Sequence, residues 1–525
     1  MSEFDELVDL PIDTVNEMPD KLKQQTNELS ELTAQVETNI RAKVEKSIVY
    51  GEDKKTGETF PQAINPQLAM DNFLNEIPII AHPSLGVPYE YDKDTGLWKG
   101  ITSPLHAYID RNYLETYFYQ ESIVSRQVYN DRKRLAQDIA SYKALEGEDT
   151  PITRNPNPNK ILFNNGSYDF ETNTIVQPEI TDYHTVKLPY NLVPTEERTI
   201  VEDWIEWIVG DSLQTVMELI GYCFYRDYPF ATVAYFINAS SQESGSNGKS
   251  MFLAYLTHVL GGDKNVSSVS LSDLTSGKNQ FIASNLEHKL ANIEKDSGLK
   301  YINDTGKIKT LTGNDTFTVE RKNENAHQMK NYAKMMFSSN ALPDFSDDSF
   351  GMKRRLIIVP FVKDFKDGKH SEEKEFYNSQ RKEREDYNGE TIGKFVWKCL
   401  QAFRAILEDP ERRNQNNPFY VAEQANQERE QYMYNNDIVL RFLDDCNLEI
   451  TRDYNNKDHW ILSTEIKDLY RKWAYDNESD MKINNFIKRL NAKGALSTRK
   501  RWAVNHGELA NPQQVLIGIK YKKDW

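Results

Sequence analysis

The chain has 525 residues, of which 38% are hydrophobic, 27% are charged and 11% are aromatic, and its formal net charge is −16. This length predicts about three or four domains. No apolar run approaches the roughly 18 residues of a membrane helix. The start MSEFDELVDL is too acidic for a secretory signal. The only cysteines, Cys223, Cys399 and Cys446, cannot supply a disulfide framework or a four-thiolate zinc site, so we expect a cytoplasmic protein without a membrane partner.

The N-terminal part of the chain divides into an arm and a mixed region. The first twenty residues are acidic and aperiodic, which predicts a disordered tail. Residues 21–48 lack glycine and proline, and we expect either a solvated helix or an arm that binds a partner. Two later segments combine aromatic strands with turn residues and predict hairpins: PYEYDKDTGLWKGI (88–101) and SYDFETNTIVQP (167–178).

The middle of the chain predicts a parallel sheet. Residues 201–226 have apolar residues at helical spacing and predict one or two packed helices. After them, short apolar strands alternate with helices, which is typical of a parallel sheet covered by helices. The predicted strands are ATVAYFI (231–237), KLANI (289–293), AKMMFSS (333–339) and RLIIVPF (355–361).

The C-terminal part predicts a small separate domain. A highly charged segment, 363–390, and an amphipathic helix, 391–407, precede it. Two helices, 463–477 and 482–494, are followed by a basic stretch and the strand QVLIGIKY, which is the plan of a winged helix. We predict a multidomain α/β protein made of an N-terminal arm (1–60), an α/β domain (61–200), a helical collar (201–229), a P-loop core (230–365), a charged linker and helical lid (366–436) and a winged helix (437–525).

The segment ESGSNGKS (243–250) is a candidate phosphate-binding loop, because it follows an apolar strand and opens a helix. Glycines let the backbone fold closely around phosphate oxygens, while N–H groups and the helix N-terminus face the anion. Lys249 is placed to reach the β- and γ-phosphates, and the Ser250 hydroxyl can hold Mg²⁺. The loop comprises Gly245, Ser246, Asn247, Gly248, Lys249 and Ser250.

The loop departs from the strict pattern, which has glycine where this chain has Glu243. Gly245 supplies flexibility two residues later and partly compensates. The alternative is a glycine- and serine-rich loop that contains Gly-Lys-Ser by chance.

Polar residues follow two of the later strands. Glu294 and Asp296 come directly after the strand at 289–293, where carboxylates can hold Mg²⁺ and polarise a water molecule, although an acidic strand end is the alternative. Asn340 ends another strand and could hydrogen-bond a γ-phosphate or the attacking water, although it could equally form a turn before Pro343.

Basic residues precede the last strand of the predicted sheet. Lys353, Arg354 and Arg355 stand immediately before RLIIVPF, where an arginine can reach a nucleotide on a neighbouring subunit. A surface salt bridge is the alternative. The order of loop, acids, asparagine and arginines is the order that a ring ATPase requires.

The run LTGNDTFTVERKNENAHQMKNYAKMMFSSNALPDFSDDSFGMKRRLIIVPF (311–361) resembles the signature of the superfamily III helicase module of phage and plasmid primase–helicases, of the poxvirus primase-helicase type. Residues 161–192 resemble the domain that precedes this module, and the C-terminal part resembles its winged-helix tail. The resemblance covers roughly residues 90–525 and is strongest over 230–361.

The resemblance implies an AAA+-like core that assembles into a homo-hexameric ring and unwinds duplex DNA with ATP and Mg²⁺ in the cytoplasm of a bacterial host. Lys249 and Ser250 would bind phosphate and Mg²⁺, and Asn340 would be the sensor. Glu294 and Asp296 fall at the acidic motif, with their roles open, and Glu294 is one candidate metal ligand. Arg354 or Arg355 would be the finger that acts in trans.

Two segments imply DNA contacts. By the resemblance, TFTVERKNENAHQMK (316–330) would be a hairpin lining the channel, where Arg321 and Lys322 grip the backbone of single-stranded DNA, although an exposed charged turn is the alternative. In the predicted winged helix, five basic residues would contact duplex DNA at an origin, and protein contacts alone are the alternative. These five are Lys488, Arg489, Arg499, Lys500 and Arg501.

The leading hypothesis is therefore an ATP-driven DNA helicase that initiates replication of a phage, plasmid or genomic island. Only about 90 residues precede the matching region, so we expect a host or element-encoded primase or polymerase to supply primers. The alternatives are a non-motor P-loop ATPase that binds origins or loads a helicase, and a small-molecule P-loop kinase or nucleotidase.

Overall fold

The computed structural model describes residues 46–74, 77–82, 85–115, 126–146, 152, 157–239, 247–276, 281–295, 306–322, 326–340, 342, 354–435, 437–477, 481–500, 503–504, 508–509 and 513–522. The chain divides into two compact units. The first comprises Met1–Asn157, Pro178–Thr185 and Thr318–Met329, and the second comprises Pro158–Gln177, Val186–Phe317 and Lys330–Trp525. Among the described helices, none is long and apolar enough to cross a membrane.

The described residues of the first unit form antiparallel strands and three helices. Strands β1 and β2 pair with each other, and β3, β4 and β5 form a sheet in that order. The hairpin predicted at 88–101 is present as β4 and β5. The elements are β1 (Ile48–Glu52), β2 (Thr59–Ile64), α1 (Pro66–Phe73), β3 (Ile79–Ile80), β4 (Tyr89–Asp92), β5 (Leu97–Gly100), α2 (Leu105–Ile109), which continues as a π-helix over Asp110–Leu114, and α3 (Arg126–Glu146).

The second unit begins with a three-stranded antiparallel sheet and two helices. Its strands are β6 (Lys160–Phe163), β7 (Gly166–Asp169) and β8 (Thr174–Val176), and its helices are α4 (Ile200–Val209) and α5 (Leu213–Phe224). The two helices are those that the periodicity over 201–226 predicts. Helix α4 begins in a capping box, in which Thr199 accepts from the Glu202 N–H and the Glu202 carboxylate accepts from the Thr199 N–H at 2.8 Å.

A five-stranded parallel sheet forms the centre of the second unit, in the order β10-β11-β14-β9-β15. This mixed α/β arrangement is consistent with a P-loop core, and all four predicted strands are present. Every residue of β9 and β15 is buried, which explains their apolar sequences. The elements are β9 (Val233–Asn238), α6 (Lys249–Val259), β10 (Val266–Ser267), α7 (Leu271–Ser276), β11 (Ala291–Glu294), α8 (Gly306–Thr312), β14 (Lys334–Ser338) and β15 (Leu356–Phe361). Between α8 and β14 the chain forms the hairpin β12 (Thr316–Val319) and β13 (His327–Lys330), most of which, Thr318–Met329, belongs to the first unit.

A buried lysine fixes the turn that follows α5 to the central sheet. Lys334, the first residue of β14, donates to the backbone carbonyls of Tyr225, Asp227 and Tyr332 at 2.6, 2.8 and 2.8 Å. Its ammonium also lies 4.3 Å from the centroid of the Tyr222 ring. Burial lowers the pKa of Lys334 to about 7.

Helices follow the sheet and pack on α4 and α5. Gly221 of α5 touches the helix at 391–408 so closely that an added Cβ would lie 2.1 Å from the Cys399 carbonyl oxygen, and only glycine fits there. Lys398 forms an ion pair with Glu202 of α4 at 2.6 Å. The helices are α9 (Ser371–Ser379), α10 (Arg381–Arg384), α11 (Thr391–Glu408), α12 (Pro410–Arg413) and α13 (Glu423–Asn435).

The C-terminal segment has its own core, which includes Phe442, Tyr470, Trp473 and Phe486. Its elements are α14 (Ile438–Asp445), β16 (Leu448–Ile450), β17 (Trp460–Leu462), α15 (Ser463–Asp476), α16 (Ile483–Lys493), β18 (Leu496–Lys500), β19 (Ala503–Val504), β20 (Glu508–Leu509), β21 (Gln513–Ile517) and β22 (Ile519–Tyr521). Strands β17, β21 and β18 form an antiparallel sheet, β16 pairs with β22, and β19 with β20. The predicted helices are confirmed. The predicted final strand is divided at Gly518, whose φ is +77°.

Short 3-10 helices complete the described elements. They lie at Ile180–Asp182, Gly210–Ser212, Gly262–Lys264, Ile282–Leu286, Lys366–Gly368 and Lys457–His459.

Candidate functional site

Two asparagines lie at the carboxyl edge of the central sheet. Asn238 is the last residue of β9, and Asn340 follows the end of the neighbouring strand β14 by two residues. Phe337 pairs with Tyr235, so Asn340 and Asn238 each lie three residues beyond a paired position. Because carboxyl ends of parallel strands meet at one edge, both amides reach the same region.

Lys249, the first residue of α6, is held by these amides. Its ammonium donates to the Asn238 side-chain oxygen, to Asn247 Oδ1 at 3.1 Å and to Asn340 Oδ1 at 3.5 Å. Asn247 is itself buried and donates to the Asn238 oxygen. The lysine side chain is only 6% exposed, so its charge lies in a low-dielectric environment where it attracts an anion strongly.

The start of α6 strengthens this attraction. Gly248 caps the helix with a φ of +90°, a conformation that glycine adopts without steric cost. The 11-residue helix directs its unpaired N–H groups and the positive end of its dipole to the same place. Gly245 and Ser246, also predicted to bind phosphate, lie outside the described residues.

The start of α6 offers a hydroxyl group to a divalent cation. Ser250 is exposed on the first turn of α6, next to Lys249. Among the described residues, no group of three or more His, Cys, Asp and Glu side chains could hold a metal. Mg²⁺ commonly binds one or two protein oxygens together with phosphates and water, and the exposed Ser250 hydroxyl can be one of those oxygens.

Glu294, the last residue of β11, lies deeper along the sheet than the two asparagines. It pairs with Phe337, which places it three residues short of the level of Asn340. Its Oε2 accepts the Leu271 N–H at 2.9 Å, so one carboxylate oxygen supports the start of α7. Asp296, two residues further on, lies outside the described residues.

Arg354 and Arg355 lie where strand β15 begins, at the opposite end of the strands from the two asparagines. They immediately precede β15, whose first residue, Leu356, pairs with Val233 at the start of β9. From Leu356 to Phe361, which pairs with Asn238, is five residue steps, or about 17 Å along the strand. Neither side chain can therefore reach the Lys249 region of its own chain.

The two arginines differ in accessibility. Arg355 is 7% exposed and donates from Nε to Thr312 Oγ1 at 3.3 Å. Burial, and then the neighbouring charge of Arg354, lower the pKa of the Arg355 guanidinium from its ordinary value. Arg354 is half-buried and donates to Asn416 Oδ1, an exposed contact, at 3.1 Å. Arg354 is thus the more accessible cation of the pair.

The hairpin β12–β13 carries its basic residues near its tip. Lys322 is exposed and Arg321 is half-buried. Its strands are anchored by the buried side chains of Val319, His327 and Met329. The hairpin predicted at 316–330 is present.

The C-terminal basic residues lie on two elements. Lys488 is exposed and Arg489 half-buried on α16, while Arg499 is exposed on β18. The Lys500 ammonium lies 5.3 Å from the centroid of the Trp460 ring. Arg501 lies outside the described residues.

Sequence reasoning did not single out Asn238. Its signal resembles that of Asn340, a polar residue that ends an apolar strand, and the run ATVAYFIN contains it. The structure brings together Lys249, Asn247 and Asn340 of the predicted residues, with Asn238 as the additional member.

Comparison with known proteins identifies one sequence family and several solved structures. Residues 242–355 match a family described as a family of unknown function, DUF5906. No curated protein matches the sequence. The apo structure of the NrS-1 C-terminal region, A form, is 12% identical with a TM-score of 0.46, covering 87% of this chain and 100% of that one.

Further solved structures score lower. Another apo structure of the NrS-1 C-terminal region (305–718) is 12% identical, with a TM-score of 0.43 and coverage of 86% and 99%. A JCV helicase bound to a synthetic acetamide is 12% identical, with a TM-score of 0.25 and coverage of 66% and 87%. With TM-scores below 0.5, the description of the fold rests on the strand order and register given above.

Proposed function

We propose that this chain is an ATP-dependent DNA helicase that initiates replication of a phage or mobile element. In this proposal it forms a hexameric ring, hydrolyses ATP between subunits and moves on single-stranded DNA. The observation that supports this proposal most strongly is that two cations, Lys249 and Arg354, lie at opposite ends of the strands of the central sheet. Lys249 lies among amides at the carboxyl ends of the strands, whereas Arg354 precedes the amino-terminal end of β15, a strand that spans about 17 Å.

The residues around Lys249 suit phosphoryl transfer to water. Lys249 and the N-terminus of α6 bind the phosphates and neutralise charge on them. Ser250 supplies an oxygen for Mg²⁺, which when bound would polarise the phosphates. Asn340 is our candidate to orient the attacking water. Because Glu294 lies deeper and supports α7, Asp296 is the better candidate for the carboxylate beside the metal.

The opposite position of Arg354 requires a neighbour. In a ring with head-to-tail interfaces, the edge that bears Arg354 on one subunit can face the Lys249 edge of the next. A guanidinium that enters a nucleotide site from a second subunit stabilises the transition state and makes hydrolysis depend on assembly. Arg355, bonded to Thr312 of its own chain, would support the position of Arg354.

Two segments are proposed to contact DNA. Lys322 and Arg321 on the β12–β13 hairpin would bind the backbone of a single strand, because exposed cations there bind phosphates without regard to sequence. The helices α14, α15 and α16 with the antiparallel sheet β17-β21-β18 support a winged helix over 437–525. In that arrangement α16, with Lys488 and Arg489, would read duplex DNA and β18 would contact its backbone.

Particle imaging and strand separation test this function directly. With ATP and a forked DNA, we expect six-membered rings around one strand and ATP-dependent displacement of the other. ATP turnover without strand separation would favour the loading or origin-binding ATPase. Turnover by a monomer that is indifferent to DNA would contradict the proposal.

Asn238 provides a sharper test of the site. Asn238→Asp keeps the shape of the side chain but places a carboxylate against Lys249, where it would compete with the phosphates for the ammonium. We expect the KM for ATP to rise by about tenfold or more, which corresponds to about 1.4 kcal/mol. Steady-state ATPase kinetics measure this change.

The matched control for Asn238→Asp is Asn414→Asp, which adds the same charge at an exposed position. It should leave the KM unchanged. Equal KM values for the two variants would show that Asn238 does not act on the bound phosphates.

A further inference from the structure

An aromatic pocket lies directly beside the start of α6. It encloses about 180 Å³ and is lined by residues of four separate segments. These include Trp207 of α4, Gly248 and Met251 at the start of α6, Phe365 after β15, and Tyr377 and Asn378 of α9. Its volume is below that of typical pockets for drug-sized ligands, about 300–1,000 Å³, and suits one flat ring system.

The walls of the pocket are aromatic rings that pack against one another at tilted angles. The Trp207 and Tyr377 ring centroids are 4.7 Å apart at an interplanar angle of 32°, and those of Trp207 and Phe365 are 5.2 Å apart at 34°. Trp207 and Tyr377 are each only partly buried, so part of this aromatic surface faces open space. Such surfaces bind flat heteroaromatic rings by stacking.

Polar groups at the pocket match a ring that carries nitrogen atoms. The Trp207 Nε1–H is buried and has no hydrogen-bond partner among the described residues. The exposed Asn378 amide offers one donor group and one acceptor. Asparagine pairs with adenine through an exocyclic amine and an adjacent ring nitrogen, so this amide can distinguish adenine from guanine.

The pocket and the phosphate site meet at Gly248, which lines the pocket and caps α6. A Cβ added to Gly248 would lie 3.3 Å from Phe365 Cε2 and 3.8 Å from Ile208 Cγ2, so the backbone of the loop rests on the aromatic wall. The next residue is Lys249. A nucleoside triphosphate joins a flat base to phosphates, and it could occupy both compartments at once.

We propose that this pocket holds the adenine base of ATP, with Trp207, Phe365 and Tyr377 as the stacking surface and Asn378 as the residue that selects adenine. This inference rests on the proposed function, because it assigns the base of the nucleotide whose phosphates Lys249 binds. It also gives α9 a role, since this charged helix then forms one side of the nucleotide site.

Two variants of the full chain test the pocket. Tyr377→Leu removes an aromatic face while keeping apolar volume, and we expect the KM for ATP to rise about tenfold to a hundredfold with kcat retained. Asn378→Ala changes an exposed side chain and should bring the ratio of kcat/KM for ATP over GTP close to one. Tyr475→Leu makes the same substitution at an exposed position on α15, outside this pocket; it is the control and should change neither value.

Inorganic tripolyphosphate separates the pocket from the phosphate site. Its inhibition constant against ATP turnover should stay unchanged in Tyr377→Leu and Asn378→Ala, because it has no base. The pocket assignment would be wrong if both variants kept the KM for ATP and the preference for ATP over GTP while tripolyphosphate still competed with ATP. The phosphate-site assignment would stand in that case. If Lys249→Ala binds ATP and tripolyphosphate as tightly as the unchanged chain, the proposed function fails and the pocket assignment falls with it.

Discussion

Lys249→Ala is expected to reduce ATP turnover by about a hundredfold to a thousandfold, the loss seen when one charge-stabilising group is removed from a transition state. The ammonium is buried among three amide oxygens at the start of α6, where it is placed to neutralise charge on a bound phosphate. Turnover is measured with a coupled phosphate-release assay, with and without single-stranded DNA.

The fold should survive this substitution. Removing a buried charge relieves its desolvation cost, which offsets the hydrogen bonds lost by the amides. Thermal unfolding should therefore shift by only a few degrees. Lys264→Ala, an exposed lysine just beyond the other end of α6, is the control and should retain full turnover. Unchanged turnover in Lys249→Ala would remove the phosphate-site assignment.

The central sheet could be predicted because its strands are buried on both faces. Strands β9, β11, β14 and β15 read as short apolar runs, and each lies within two residues of its predicted position. Strand β10 was not predicted, since its two residues, Val266–Ser267, are too few to show a period. The apolar runs also fix where the strands end, which is why Asn340 could be identified.

The candidate site was only partly predictable, because tertiary contacts decide the rest. Asn238 ends its strand as Asn340 does, but only the geometry shows its contact with Lys249. The aromatic pocket combines Trp207 of the predicted collar with Phe365 at the end of the predicted core and Tyr377 of the predicted lid, and no local pattern links these segments. Sequence spacing likewise could not distinguish Arg354 from Arg355, since their difference in burial depends on the contact with Thr312.

A mixing experiment has the second large expected effect. Arg354→Ala alone should reduce ATP turnover about a thousandfold or more, as the loss of an arginine finger does. Lys249→Ala alone should be similarly inactive. Mixed in equal amounts, the two variants should regain ATP turnover. Some interfaces between neighbouring subunits, here called seams, then combine Lys249 from one subunit with Arg354 from the next.

The size of the recovery follows from counting seams. In randomly mixed rings, half of the sites keep Lys249 and half of their neighbours keep Arg354, so about one quarter of the seams are complete. If each seam hydrolyses ATP independently of the others, ATP turnover should approach about a quarter of that of the unchanged chain. In the control, Lys249→Ala is mixed with the double variant Lys249→Ala, Arg354→Ala. No subunit in this mixture carries Lys249, so no seam can be complete and turnover should stay low.

Arg355→Ala makes the same experiment specific for one arginine. Arg355 is buried against Thr312 of its own chain, so its loss should lower thermal stability. Because Arg355→Ala keeps both Lys249 and Arg354, it should retain more ATP turnover alone than Arg354→Ala does, and mixing with Lys249→Ala should raise that turnover by a smaller factor. If mixing with Lys249→Ala raised the ATP turnover of Arg355→Ala by the larger factor, Arg355 would be the finger and Arg354 the supporting residue. Recovery with neither variant, at any mixing ratio, would contradict a nucleotide site shared between neighbouring subunits.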